Sequence, residues 1–392
     1  MNQRESQVII AGGGIAGLCT AVGLSRNGFG VQVVEAMPKM LPVGAGLHVW
    51  VNGMRALERL GLARDVLAAG SEVDLEEFMT SKGSTLFNVS VADLRRQYGG
   101  TVTFIARPEL QRVLLEALGD GVVQPGSECT GFAQDADGVT VRLKDGRELR
   151  GDLLIGADGA SSAVRRQFLG EVPLKYAGYL YFRAITDFQH PSVPAGTQRI
   201  LYGTGARFGI AHVGPEQLYW WGIVNAPEGS TDAAVGRKGE VLQRFAGWQP
   251  PVETLIESTP ESRIARTDVY DIDPIERWGE GRVTLVGDAA HAMTPGMGRG
   301  ASEAIEDAAA LTESLAGVGA GGGDPRPGLR AYESGRSGPA AKIAKRSRSA
   351  GASGQWSNPI ACTFRNALMR TVLGRVISNE MTSDFKAPAT RP

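Results

Sequence analysis

Gly12, Gly14 and Gly17 stand in the spacing Gly-x-Gly-x-x-Gly, and an acid, Glu35, follows about 20 residues on. Residues of those types in that order suit the binding of a dinucleotide. Gly12 permits a tight turn, Gly14 lets the backbone approach a pyrophosphate at a helix N-terminus, and Gly17 lets that helix pack closely on a strand. A carboxylate at Glu35 accepts hydrogen bonds from a ribose diol and disfavours a 2′-phosphate, which points to FAD or NAD rather than NADP.

A second set lies far downstream. Gly287-Asp288-Ala289-Ala290-His291 runs on through Pro295 to Gly298-Arg299-Gly300, and Gly156-Ala157-Asp158-Gly159 stands between the two sets. Widely separated loops that clamp one large cofactor from both ends point to FAD. No nucleophile triad is visible. Cys19, Cys129 and Cys362 are odd in number and scattered, as are His48, His190, His212 and His291, so neither a disulfide framework nor a metal site is expected. Free thiols fit a reducing cytoplasm. A formal charge of -1 gives no reason to expect nucleic acid or a membrane surface as partner.

The elements that must position these residues follow from the apolar pattern. Val8, Ile9 and Ile10 form a β-branched run suited to a buried parallel strand, a helical pattern continues through Leu18, Val22 and Leu24, and Val31, Val33 and Val34 lead as a second strand to Glu35. Residues 6–25 carry no charge, yet their five glycines and the lack of a preceding basic region argue against a membrane span or secretion signal. Leu57, Leu60 and Leu62 suggest a helix and turn. Pro108 opens an amphipathic helix with Leu110, Val113, Leu114, Ala117 and Leu118 on one stripe. Asp137-Gly138 and Asp145-Gly146 punctuate hairpins, and Asp152 to Gly156 reads as another buried strand.

From Tyr176 to Tyr270 short aromatic strands replace the βα units: Tyr179 to Ile185, Arg207 to Val213 and Leu218 to Val224. They read as a separate antiparallel sheet. Arg282 to Gly287 returns to a buried strand and Ala301 to Leu315 to a helix; a glycine-rich loop over 317–328 precedes a helical C-terminal segment. Its Lys342, Lys345, Arg346 and Arg348 read first as a solvated face, and second as an attraction for a pyridine nucleotide. The 392-residue chain is therefore expected to be an α/β protein. Its divisions are a discontinuous cofactor domain over 1–75, 100–172 and 268–330, a β-sheet substrate domain over 76–99 and 173–267, and a helical segment over 331–392.

These residues resemble the aromatic-hydroxylase family of single-component FAD monooxygenases. Three motifs stand in the family's order: the glycine fingerprint with Glu35, Asp158-Gly159 followed by Ser162 and Arg165, and Gly287-Asp288 with Pro295. Val43-Gly44-Ala45-Gly46 running to Trp50 and Asn52, Tyr176-Ala177-Gly178-Tyr179, and Phe245-Ala246-Gly247-Trp248 look like the branch of urate hydroxylase and zeaxanthin epoxidase. The resemblance implies a Rossmann-like domain joined to the sheet domain in the manner of hydroxybenzoate hydroxylase. It implies non-covalent FAD reduced by NADH or NADPH, O2 adding at the flavin C4a, and a hydroperoxide that delivers an electrophilic oxygen. Glu35, with Ala36, would hold the adenosine ribose, Arg107 the ribityl-diphosphate region, and Asp288 the ribityl chain. Gly298 and Gly300 would offer N–H groups near the flavin N1–O2 edge. Asp158 is implied to serve FAD and the nicotinamide nucleotide together, and Ala16, Gly46 and Pro295 join the cofactor-binding set. The chain departs from the pattern at Arg299, Ser302 and Val51, where glutamine, asparagine and proline are usual. Arg299 is expected to bring positive charge toward the flavin.

A flavin carries the hard chemistry, so the protein must supply a dry pocket and orientation. Strand alternation puts Tyr219, Trp221 and Ile223 on one face, with Arg207, Gly209 and Ala211 on one face of the neighbouring strand. In the urate hydroxylase branch an arginine and a tyrosine match Arg207 and Tyr219. They are the expected catalytic pair, Arg207 orienting an anion or carbonyl and Tyr219 relaying a proton, while His212 falls on the opposite face. The expected substrate is a small aromatic, heteroaromatic or unsaturated molecule, hydroxylated or epoxidised by a monomer or homodimer. A flavin reductase without oxygen transfer and a non-catalytic FAD scaffold are the alternatives.

Overall fold

The computed structural model describes residues 6–39, 45–318 and 323–386. Val43 and Gly44, and residues 319–322 of the glycine-rich loop, lie outside the described residues.

Strand Gln7–Ala11 is buried almost throughout and pairs in parallel with Gly30–Glu35 on one side and Leu153–Gly156 on the other. The sheet extends to six strands in the order Gly279–Glu280, Val283–Leu285, Leu153–Gly156, Gln7–Ala11, Gly30–Glu35, Val123–Pro125, with one antiparallel pair at its Gly279–Glu280 edge. Continuous apolar strands of this kind need cover on both faces. Helix Ile15–Arg26 supplies part of it and packs in turn on helix Gly300–Ser314. The fingerprint and the Gly287-Asp288 loop therefore follow two strands, Gln7–Ala11 and Val283–Leu285, that flank Leu153–Gly156, the strand that leads to Asp158.

The second sheet has seven strands in the order Ala265–Asp271, Lys175–Asp187, Gln217–Asn225, Ala206–His212, Thr197–Tyr202, Leu75–Thr80, Thr85–Ser90. It is antiparallel except where Thr197–Tyr202 runs parallel to Leu75–Thr80. The exception arises because the Leu75–Ser90 hairpin comes from far upstream and joins the sheet by a crossover rather than a turn. One face carries Phe182, Phe208 and Trp220, which pack with Val241, Leu255 and Ile256 of two covering helices. Phe245 meets Phe208 and Trp248 edge to face, each at 4.9 Å, so the Phe245-Ala246-Gly247-Trp248 segment backs this sheet. The other face holds Tyr181, Arg183, Arg207, Tyr219 and Trp221.

The C-terminal segment is a 29-residue helix, Arg326–Gly354, followed by Pro359–Leu368, a π-helical turn and Gly374–Lys386. Among the described residues no helix is long and apolar enough to cross a membrane.

Candidate active site

One cavity of about 1760 Å³ runs between the two sheets. Pockets for drug-sized ligands occupy about 300–1,000 Å³, so this one has room for a large cofactor and a second molecule. Gly14, Ala16, Gly46, Arg107, Asp288, Pro295, Gly298 and Gly300 line it together with Arg207 and Tyr219.

The residues expected to bind the cofactor divide by position. Gly12 has a φ of +111°, and any side chain there would overlap the Ala157 carbonyl. A Cβ on Gly17 would overlap the Gly12 carbonyl, so both residues shape the turn rather than line the cavity. Gly14 faces open space at the start of helix Ile15–Arg26, where unsatisfied N–H groups and the helix dipole favour an anion. Glu35 does not line the cavity; its carboxylate accepts hydrogen bonds from the N–H groups of Gly13 (2.6 Å) and Met37 (2.8 Å). Ala36 beside it is exposed.

Asp288 is exposed to the cavity at the first position of a short helix, and no described residue bonds its carboxylate. Its loop is held from below. Gly287 N–H donates to Asp307 Oδ2 (2.9 Å), His291 Nε2 lies 2.6 Å from the same oxygen, and Arg336 Nε donates to Oδ1 (2.8 Å). Burial pushes the Asp307 carboxyl up, but His291 and Arg336 outweigh it and hold the group below its usual range. Arg336 also donates to Glu303 Oε2 and Glu306 Oε2, which ties the long C-terminal helix to this loop.

Asp158 accepts from the N–H groups of Ala163 (2.8 Å) and Val164 (3.1 Å), capping helix Ala163–Leu169, while its buried Oδ1 has no partner. Its neighbours Ala157 and Gly159 line the cavity, and Arg165 donates to the Ala289 carbonyl at 2.8 Å, joining the second and third motifs. Arg107 lies exposed at the cavity with its own N–H bonded to the Ala45 carbonyl.

On the sheet, Arg207 pairs with Ile223, Gly209 with Trp221 and Ala211 with Tyr219, which places both expected residues on the cavity face. Arg207 is buried; Nε donates to Gln355 Oε1 (3.1 Å) and Nη2 has no partner. Tyr219 Oη lies 2.7 Å from Tyr181 Oη, and burial pushes both phenols up. His212 bonds the Val193 carbonyl on the far face.

The basic cluster divides. Lys342, Lys345 and Arg346 line the cavity, whereas Arg348 is bound to Asp271 and Asp273. The Arg299 guanidinium has carboxylate partners: it bonds Asp384 Oδ2 (2.6 Å), lies 3.6 Å from Glu303 and sits over the Trp50 ring. The C-terminal helix supplies the counter-charge, which the local motif could not reveal.

Two titratable groups in the cavity are not among the residues that the sequence motifs single out. His48 and Glu76 both line the cavity, with Nε2 and Oε1 3.6 Å apart, longer than a hydrogen bond, and each atom is buried without a partner. Burial, with the Arg299 cation behind it, drives His48 down to about 3, and burial drives Glu76 up to about 8.

Residues 5–347 match the FAD binding domain family. Aurachin C monooxygenase/isomerase of Stigmatella aurantiaca is 41% identical over 367 residues, 93% of each chain. FAD-dependent urate hydroxylase of Klebsiella pneumoniae is 35% identical over 309 residues, covering 78% of this chain and 80% of that protein. A crystal structure of Klebsiella pneumoniae HpxO with FAD and uric acid superposes with a TM-score of 0.92 at 30% identity, over 99% of both chains.

Proposed function

This chain belongs to the FAD binding domain family and is an FAD-dependent monooxygenase, and from that premise we propose that it oxygenates an electron-rich ring or alkene with NADH or NADPH as transient reductant. The observation that carries the reading is the shared cavity: the glycine loops and Asp288 open into the same space as Arg207 and Tyr219.

When bound, FAD supplies hydride uptake, activation of O2 and oxygen transfer. The chain's own residues hold and orient. The Gly14 turn would take the pyrophosphate, Glu35 with Ala36 the adenosine ribose, Arg107 the ribityl-diphosphate region, and Asp288 the ribityl hydroxyls. Asp158, through its unpartnered Oδ1, would serve the cofactor side of the cavity. Gly298, which has a left-handed φ of +62°, and Gly300 would turn N–H groups toward the edge where negative charge develops on reduction. Arg207 would orient an anion or carbonyl through its free Nη2, and the Tyr219 hydroxyl would pass a proton along the bond to Tyr181. Phe78, Ile200 and Trp221 on the sheet, with Ile377 and Met381 on the last helix, would keep the chamber dry.

The test is a screen of aromatic and unsaturated compounds for acceleration of NAD(P)H consumption by the FAD-loaded enzyme. Acceleration coupled to an oxygenated product supports the reading; acceleration with a reduced product would favour a flavin reductase.

A further inference from the structure

Four neighbouring strands of the seven-stranded sheet place Glu76, Gln198, Ala211 and Tyr219 in one row: Glu76 pairs with Gln198, Gln198 with Ala211, and Ala211 with Tyr219. Strand Gly46–Val49 approaches this row and brings His48 opposite Glu76. His48 is fixed by its neighbours, stacked on Phe104 at 4.2 Å and tilted against Trp50 at 4.3 Å.

Glu76 is 1% exposed and Gln198 5%, and both line the cavity. Glu76 Oε1, Gln198 Oε1 and His48 Nε2 are all buried without a hydrogen-bond partner. Buried polar groups are almost always paired, and three orphans at one end of one chamber call for a ligand that pairs them. The next row across the sheet is apolar, with Phe78, Ile200 and Trp221. The chamber thus has a flat apolar middle, a cationic side at Arg207 and Arg183, and this polar end.

The geometry points to Glu76, facing His48 and flanked by Gln198, as the group that holds a neutral ring-carbonyl oxygen of the substrate. The assignment rests on the monooxygenase reading of the cavity and adds the substrate class. The chemistry follows from burial. An ionised carboxylate in so closed a site would lack a hydrogen-bonded counter-ion, since His48 is beyond bonding distance and is itself held neutral. The carboxyl retains its proton to about pH 8 and is a donor at neutral pH. A protonated carboxyl donates to a carbonyl acceptor, and the orphaned Gln198 Oε1 accepts, so a ring N–H beside that carbonyl would pair it. A carboxylate substrate would instead seek Arg207 or Arg183. The groups facing Glu76 are His48 on its strand, with Arg299 behind it, Gln198 beside it and Tyr219 further along the row.

The probes are three matched bicyclic rings: oxindole with a neutral ring carbonyl, indole with none, and indole-2-carboxylate with a charge. Binding to the FAD-loaded enzyme is read from perturbation of the flavin spectrum at pH 6.5 and 9.5, with flavin content measured first on the same sample. Oxindole is expected to bind at least ~10-fold more tightly than indole at pH 6.5, the scale of one hydrogen bond to a buried polar group, and to lose that advantage at pH 9.5. Glu76→Gln keeps a donor, so it should retain the preference at both pH values; Glu76→Leu should abolish it. Equal binding of oxindole and indole, preference for the carboxylate, no binding of any probe, or an unchanged preference in Glu76→Leu would each overturn the assignment. The wild-type ring series stands without either variant. A protein that takes up no FAD would contradict the monooxygenase reading itself, through a separate readout.

Discussion

Gly46 lies flush against the ring of Tyr219, so close that any side chain at Gly46 would overlap it. Gly46 begins a strand that pairs with Thr103–Ala106 and Tyr219 belongs to the seven-stranded sheet, so two separate sheets meet at this contact in the cavity wall. Tyr219 in turn is bonded to Tyr181, and the Gly46 strand carries His48.

Gly46→Ala should therefore displace the Tyr219 ring or the strand. Overpacking of this kind costs about 1–3 kcal/mol, and a shift of catalytic geometry by about 1 Å can cost up to about a hundredfold in rate. Thermal melts and kcat/KM, measured with the flavin content held constant, check this. A variant with parental kinetics would show that the contact carries no positional information.

Asp288→Ala should weaken FAD retention by about 1.5–3 kcal/mol, roughly ten- to a hundredfold in affinity, as expected for one charge-assisted hydrogen bond. The fold should survive, because the Gly287–His291 loop is held by Asp307 and not by the Asp288 side chain. Flavin released on gel filtration and far-ultraviolet dichroism together decide the point.

The local part of this architecture was legible because its signals are local. Gly12, Gly14 and Gly17 must satisfy a turn, an anion and a helix contact within six positions, and Arg207 and Tyr219 obey simple strand alternation. Three features were not legible. Glu76 reaches the cavity only through a parallel pairing with Thr197–Tyr202, over 100 residues away. His48 looked like one of several scattered histidines until Phe104 and Trp50 fixed its ring. The local motif shows the cation at Arg299 but not its carboxylate partner, Asp384, which lies 85 residues downstream on the last helix.

Arg207→Ala should raise KM or lower turnover by about ten- to a hundredfold in kcat/KM while leaving flavin content near normal. Gln355 keeps its bonds to the Gly205 carbonyl and Asn225 when Arg207 is removed, so the local fold has other supports. Parental KM, turnover and coupling of NAD(P)H use to product would move the substrate site elsewhere.

Two buried groups set opposite pH dependences of stability. Glu76 has its folded value raised from 4.5 to about 8, so the folded state holds a proton that the unfolded state releases between those values. Its contribution is whole below pH 4.5 and is lost as pH rises toward about 8. His48 is lowered from 6.5 to about 3, so its contribution is present above pH 6.5 and is lost as pH falls toward about 3. Glu76→Gln cannot ionise and should gain melting temperature relative to the parent between pH 5 and pH 8. A constant difference across that range would show that Glu76 titrates normally.

The central claim is that this cavity transfers an oxygen atom from O2 to an organic substrate. The most direct measurement takes a compound that accelerates NAD(P)H consumption and runs the reaction under ¹⁸O2 in ordinary water, with the product read by mass spectrometry. The account predicts one ¹⁸O atom in each product molecule. Product that carries oxygen only from water, or a turnover that changes the substrate without adding oxygen, would contradict it.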